Sequence, residues 1–297
     1  MKIYEIEDHL YLIDLPQKLR GFRKFISSWV YTGEFNVVVD VGPKSTINTL
    51  VEAIKKLRIN KIDYVLLTHI HIDHAGGVGE FLKHFDAKVI VHDKGKDHLI
   101  NPQKLWEGSL KVLGDIAKAY GEIVPVPESA FVDKIEGIDR IDTPGHAPHH
   151  SSYVIGDYLF AGETFGVFHE VRNELYQRPA TPPKFILEIA ERSIEKLEGL
   201  GKKKVCFGHF GMYKDSLNIA KYAKKQLRMW VQTIFDEVSG GVDDPEKITE
   251  NVKKRLLEKD ARFSNYKHLE DDIKEREDYF IKNSITGMLE YVKENML

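Results

Sequence analysis

Three histidines and an aspartate fall within six consecutive positions of the run Thr68-His69-Ile70-His71-Ile72-Asp73-His74-Ala75-Gly76-Gly77. Imidazole nitrogens and a carboxylate this close together are ligands for a divalent ion. Zinc suits them best, with iron or manganese possible at comparable donor sets. Side chains alternate along an extended segment, so His69 and His71 share a face and can reach one ion. If the chain turns immediately afterwards, Asp73 and His74 can reach a second. Ala75-Gly76-Gly77 lets backbone approach closely before a following helix. The bland alternative is a chance cluster of polar loop residues, and the density of donors outweighs it.

Further pieces stand in order along the chain. Val39-Asp40-Val41-Gly42 lies upstream, and Thr143-Pro144-Gly145-His146, Gly162-Glu163-Thr164 and Phe207-Gly208-His209-Phe210-Gly211 lie downstream. On these motifs the chain resembles the metallo-β-lactamase superfamily over roughly residues 1–212. The resemblance implies an α+β protein, an αββα sandwich with its metals at one edge. It puts His69, His71 and His146 on one ion, puts Asp73, His74 and His209 on the other, and makes Asp40 a support behind the ligand loop. The donor chemistry agrees, since each set of three leaves room for water and a bridging carboxylate. Glu163 stands where the family usually has an aspartate that bridges the metals. Its extra methylene extends the carboxylate by about 1–1.5 Å, so the backbone must retreat or the bridge must skew. Bridging is the expectation, and the number of ions, one or two, turns on this residue.

Other residues invite plainer readings. His150 is expected to hydrogen-bond behind the ligands rather than bind metal, and His149, where relatives usually have glycine, to narrow the pocket mouth. His92 ends a strand and reads as structural, while His9, His84, His98 and His268 read as surface or packing residues. His169, Tyr176 and Arg178 are read either as lining a substrate cavity or as an ordinary loop. Cys206 reads as a buried small hydrophobe, and Lys202-Lys203-Lys204 as a solvated turn.

These residues need elements to position them. Ile3–Leu15 alternates well enough for paired strands, and Trp29–Tyr31 with Phe35–Val41 flanks a Gly33-Glu34 hairpin turn. Asn36–Asp40 has the continuous β-branched character of a buried strand. Ser45 or Thr46 caps an amphipathic helix through Leu57. Tyr64–Leu67 is a strand that runs directly into the histidine cluster. Lys88–Val91, Glu122–Val126, Gly137–Asp142, Ser151–Phe160 (bent at Gly156-Asp157) and Lys204–Phe207 read as further strands. Gln103–Tyr120 reads as one helix, and Pro182-Pro183 as the first turn of another that runs to about Leu197. Beyond Tyr213, apolar residues recur every three or four positions from Ile219 to Val238, which marks a long amphipathic helix stopped by Gly240-Gly241. Helices near Pro245–Leu257 and Leu269–Asn295 complete a C-terminal helical region, residues 213–297, read as a small domain or as a cap on the body.

Composition bounds the rest. The 297 residues are 42% hydrophobic and 30% charged, enough apolar material for a sizeable core. A net charge of -3 gives no general field for polyanions, so nucleic acid is not an expected partner. No stretch approaches the roughly 18 apolar residues of a membrane helix. Charged residues near the start and a single cysteine point to a cytoplasmic protein without disulfides. Two ions held by such donors bring a bound water towards neutral pKa, and Asp73 can orient the attacking oxygen as well as bind metal. The expected activity is hydrolysis of a small thioester, ester or lactone, nearest to the glyoxalase-II-like branch. A mononuclear iron oxygenase, a phosphodiesterase and a non-catalytic binding protein are the alternatives. The sequence names no substrate-binding residues and leaves a homo-oligomer open.

Overall fold

The computed structural model describes residues 1–297. Strands β1 (Lys2–Glu7), β2 (Leu10–Asp14), β3 (Ser27–Thr32) and β4 (Asn36–Val39) form an antiparallel meander. Strands β5 (Tyr64–Leu66) and β6 (Lys88–Ile90) extend this sheet in parallel, in the order β1-β2-β3-β4-β5-β6. The parallel pairs need crossovers. Helix α1 (Ile47–Lys56) supplies the first, and the single turns α2 (Ile72–Ala75) and α3 (Val78–Phe81) lie in the second.

Helices α4 (Asp93–Ile100), α5 (Gln103–Leu113) and α6 (Asp115–Tyr120) follow β6. The stretch read as one helix over Gln103–Tyr120 is thus two. Gly114 breaks it with a φ of +54°, a left-handed conformation that helix continuation does not allow. The expected strand at Glu122–Val126 is irregular chain.

A second sheet is built from β7 (Asp139–Asp142), β8 (Ser151–Ile155) and β9 (Tyr158–Gly162). Further along, β10 (Val167–Val171) and β11 (Glu174–Arg178) form a separate antiparallel hairpin, while β12 (Lys204–Phe207) and β13 (Met212–Tyr213) complete the second sheet in the order β13-β12-β9-β8-β7. Helix α7 (Leu187–Glu198) begins five residues after Pro182, so the two prolines belong to an extended strap and not to its first turn. The tail is α8 (Ser216–Ser239), α9 (Pro245–Lys259) and α10 (Asp271–Asn295).

Three apolar layers follow from the alternation in the strands. Trp29, Val37, Val39 and Leu66 point one way and pack on Tyr153, Phe160 and Cys206 of the second sheet. Val30, Val38, Val65 and Val89 point the other way onto α1 residues such as Leu50 and Ile54. On the outer face of the second sheet, Leu159 and Phe207 share one cluster with Ile194 of α7, Trp230 of α8 and Met288 of α10. The result is helix on sheet on sheet on helix. Full burial of each large side chain contributes roughly 1.5–3 kcal/mol. The tail therefore shares its core with the sandwich. No helix is long and apolar enough to cross a membrane.

Candidate metal centre

Strand ends from both sheets converge on one edge. Leu67 still pairs with the sheet (N–H to the Ile90 carbonyl, 2.9 Å), and the chain then leaves it through His69–His71 into the single turn α2. Backbone hydrogen bonds pin that turn. The Gly42 N–H donates to the His74 carbonyl at 3.1 Å, and the Gly77 N–H donates to the Gly42 carbonyl at 2.9 Å. Asp40, just past β4, has a φ of 53°, which few residues other than glycine, asparagine and aspartate tolerate. Its carboxylate accepts from the Thr68 N–H at 2.8 Å, the Thr68 hydroxyl at 2.7 Å and His74 Nδ1 at 2.9 Å.

The second sheet supplies the remaining donors. His146 leaves the 143–150 loop, Glu163 follows β9, and His209 follows β12. The Gly208 N–H donates to the Gly162 carbonyl at 2.9 Å, which ties the last two loops together. Gly162 is required there, since its φ is +54° and a side chain would run into His150 and Thr68.

Two groups of side chains emerge that could each hold a divalent ion. His69, His71, His146 and Glu163 form one; Asp73, His74 and His209 form the other. Glu163 touches both. Its Oε2 lies 2.9 Å from His146 Nε2, 3.4 Å from His69 Nε2 and 3.6 Å from His74 Nε2, and its Oε1 lies 3.1 Å from His209 Nε2.

The hydrogen bonds assign the imidazole tautomers. His74 donates through Nδ1 to Asp40, and His146 through Nδ1 to the Ala180 carbonyl at 2.9 Å. His69 Nδ1 lies 3.0 Å from the Thr68 hydroxyl, whose proton is already committed to Asp40. Each therefore directs Nε2 into the cluster, where the deprotonated ring offers a lone pair to an ion. His69 Nε2 and His74 Nε2 are buried without any partner, a costly arrangement that a cation relieves. His71 Nδ1 faces His146 Nε2 at 2.9 Å, which two bare lone pairs would not tolerate without a shared cation or proton. These donors fit a metal ion.

The electrostatics point the same way. Burial, reinforced by neighbouring imidazoles, pushes His69 and His71 well below the usual histidine range, so both are neutral. Burial opposes charge on His74 too, yet the carboxylates of Asp73, Asp40 and Glu163 raise it to about 10. Burial likewise disfavours the Glu163 carboxylate, but His146 and His209 hold it well below the ordinary range. A proton on the imidazoles can thus stand in for the positive charge these carboxylates require.

Other singled-out residues fall outside the two groups. His150 is fully buried; its Nδ1 lies 2.9 Å from the Thr143 hydroxyl and its Nε2 accepts from the Glu163 N–H at 3.1 Å, which leaves no nitrogen for an ion. His149 stands beside His71 with ring centroids 5.6 Å apart, and burial, then His146, lowers it to about 4. His92 caps α4 by accepting from the Lys94 N–H. His169, Tyr176 and Arg178 lie on paired strands and not in an ordinary loop. They sit in the β10–β11 hairpin, buried against Arg276 and Glu277 of α10. Arg172 and Asn173 both take positive φ at the hairpin turn, and Asn173 is the cue to it that the sequence carries. Thr68, Ala180, Phe25 and Arg276 also shape the centre. Thr68 adjoins the motif, but the sequence marks the other three in no way.

The family model described as the metallo-beta-lactamase superfamily matches residues 21–209. The chain belongs to that superfamily. It is 32% identical over 215 residues to the metallo-beta-lactamase fold-containing protein ST1585 of Sulfurisphaera tokodaii, across 68% of this chain and 78% of that protein. The solved structure of ST1585 matches with a TM-score of 0.59 at 30% identity, covering 72% of this chain and 85% of its own. The metallo-beta-lactamase family protein TTHA1429 of Thermus thermophilus covers 98% of this chain and 95% of its own, with a TM-score of 0.68. At 19% identity it bears on fold alone, and the likeness extends over the helical tail. A hydroxyacylglutathione hydrolase of Salmonella typhi is 28% identical over 162 residues, half of this chain and 53% of that enzyme.

Proposed function

We propose that the protein is a hydrolase that holds two divalent ions, zinc by preference, and cleaves a small thioester, ester or lactone with water. The observation that carries this reading is the single Glu163 carboxylate in contact with both donor groups, 2.9 Å from His146 and 3.1 Å from His209. His69, His71 and His146 would hold one ion, and Asp73, His74 and His209 the other, with Glu163 between them. Bound there, divalent ions supply an activated water and a Lewis acid for an acyl oxygen.

The chain's own residues do the rest. Asp73 is the most exposed carboxylate of the set, 15% against 6% for Glu163 and 3% for Asp40. It takes the role of orienting the attacking water. Asp40, Thr68 and the Ala180 carbonyl fix the imidazoles from behind. Cys206 is buried inside β12, where burial pushes its thiol well above the usual range, so it is no nucleophile. The partial likeness to a hydroxyacylglutathione hydrolase supports an acyl substrate. Retention of donors for both ions weighs against a mononuclear oxygenase.

The test is elemental analysis of the purified protein followed by a panel of thioesters, lactones and phosphodiesters, with and without chelator. Acyl hydrolysis lost on chelation and restored by zinc supports the reading. Full activity without metal, or a phosphodiester preference, overturns it.

A further inference from the structure

A metal-binding imidazole is normally held in orientation by a hydrogen bond at its other nitrogen. His69, His74 and His146 each have such a partner at Nδ1: Thr68, Asp40 and the Ala180 carbonyl. His209 does not. Its Nε2 faces Glu163, while its Nδ1 is buried with no partner at all. On the side away from Glu163 its backbone carbonyl accepts from the hydroxyl of Ser27.

What holds the ring is a stack. The Phe25 ring lies parallel to the His209 imidazole, with centroids 4.0 Å apart and planes 8° apart. Phe25 is itself fully buried and wedged edge-on against Phe22 at 5.8 Å and tilted against Phe280 of α10 at 5.2 Å. The Arg276 guanidinium, also from α10, stands over the Phe25 ring at 4.1 Å. Arg276 has no freedom to move off it. It donates to the carbonyls of Gly21 at 2.8 Å and Arg23 at 3.3 Å, to Glu277 Oε1 at 2.9 Å, and to His169 Nε2 at 3.1 Å. A guanidinium held over an aromatic face is attracted to the ring's negative π-cloud, and more strongly when both are shielded from water. A planar ring held this way resists rotation, and a parallel neighbour resists with it.

We infer that the C-terminal helix acts on the metal centre through Arg276 and Phe25, which replace the missing hydrogen bond and hold His209 in position for the second ion. Both are positioning residues. The inference rests on the two-ion reading above, and it gives the tail a task at the site beyond packing. It also separates the ions: the donors on the first, His69, His71 and His146, have no contact with this stack.

The experiment titrates the metal-free full-length chain with cobalt(II) and follows its visible absorption, for wild type, Arg276→Gln, Phe25→Leu and Arg276→Lys. Wild type is expected to take up two equivalents. In Arg276→Gln and Phe25→Leu the first equivalent binds as in wild type, while affinity for the second falls about 10–100-fold and its absorption band shifts. Arg276→Lys keeps a cation over the ring and is expected to recover part of the loss, and it carries the test if Arg276→Gln fails to fold. Near-ultraviolet circular dichroism of each metal-free variant reports folding separately. A second equivalent with wild-type affinity and spectrum in folded Arg276→Gln and Phe25→Leu overturns the inference alone. A single equivalent in wild type overturns the two-ion reading, and the inference with it.

Discussion

The Nδ1–H of His74 donates to Asp40 Oδ2 at 2.9 Å, and Asp40 makes this contact from a left-handed backbone with a φ of 53°. The same carboxylate holds Thr68 through both its N–H and its hydroxyl. One side chain therefore sets the ligand loop in two places. Asparagine tolerates the same backbone, so Asp40→Asn removes the charge and one acceptor without adding strain. Zinc affinity is expected to fall about 10–100-fold, read by competition with a chromophoric chelator. Unchanged affinity would show that His74 is oriented by something else.

Glu163→Ala removes the only carboxylate shared by both donor groups. Equilibrium dialysis against zinc is expected to drop from two ions per chain towards one. Glu163→Asp is expected to be milder, since it keeps the charge but falls short of the longer reach that the local backbone suits. Full stoichiometry in Glu163→Ala would remove this residue from the centre.

Glu277 is the carboxylate shared by two buried guanidiniums. It accepts from Arg178 at 2.5 Å and from Arg276 at 2.9 Å, and also from the Tyr176 hydroxyl at 2.8 Å. Breaking a buried charge pair by removing one partner costs about 3–5 kcal/mol. Glu277→Gln should lower the urea midpoint accordingly, and an unchanged midpoint would mean that water reaches the site.

His169 gives stability a pH dependence. Burial, then the Arg276 charge, lowers it from 6.5 to about 3 in the folded protein. Between those values the unfolded chain binds a proton that the folded chain does not, so unfolding is favoured as pH falls through that window. The contribution is intact above pH 6.5 and declines towards pH 3. Chelated wild type is expected to lose stability between pH 7 and about 4.5 by more than His169→Gln does, as measured by urea unfolding at both pH values.

A chain ended at Tyr213 would strip α8 and α10 from Leu159 and Phe207, which share a core with them. Large exposed apolar patches drive association. The truncated protein is expected in the insoluble fraction. A soluble, folded product ending at Tyr213 would mark the tail as a separate unit.

The sequence was most legible where chemistry is local. His69, His71, Asp73 and His74 lie within one strand end and one helical turn, so spacing nearly dictates their geometry. The elements behind them are also regular, and period-two or helical patterns give them away. Legibility fails where partners are remote. Arg276 and Gly21 are 255 positions apart, and no periodicity announces that a basic residue on an amphipathic helix turns inward. Gln103–Tyr120 shows a second limit: the apolar pattern runs on through Gly114, while the backbone does not. The β10–β11 hairpin has no alternation to read: Val167-Phe168-His169 and Tyr176-Gln177-Arg178 are each buried in succession, with polar residues satisfied by partners on α10 and elsewhere.

The donors come from both halves of the chain. His69, His71, Asp73 and His74 hang from the first sheet, and His146, Glu163 and His209 from the second. On the two-ion reading each ion draws donors from both sheets, so the cofactor is also a clasp across a seam otherwise closed by apolar packing and by scattered hydrogen bonds such as those of Trp29 and Tyr153. Loss of metal would then loosen the protein's waist as well as disarm its chemistry. A substitution that improves the fit of the two sheets would tighten the ions without touching a ligand.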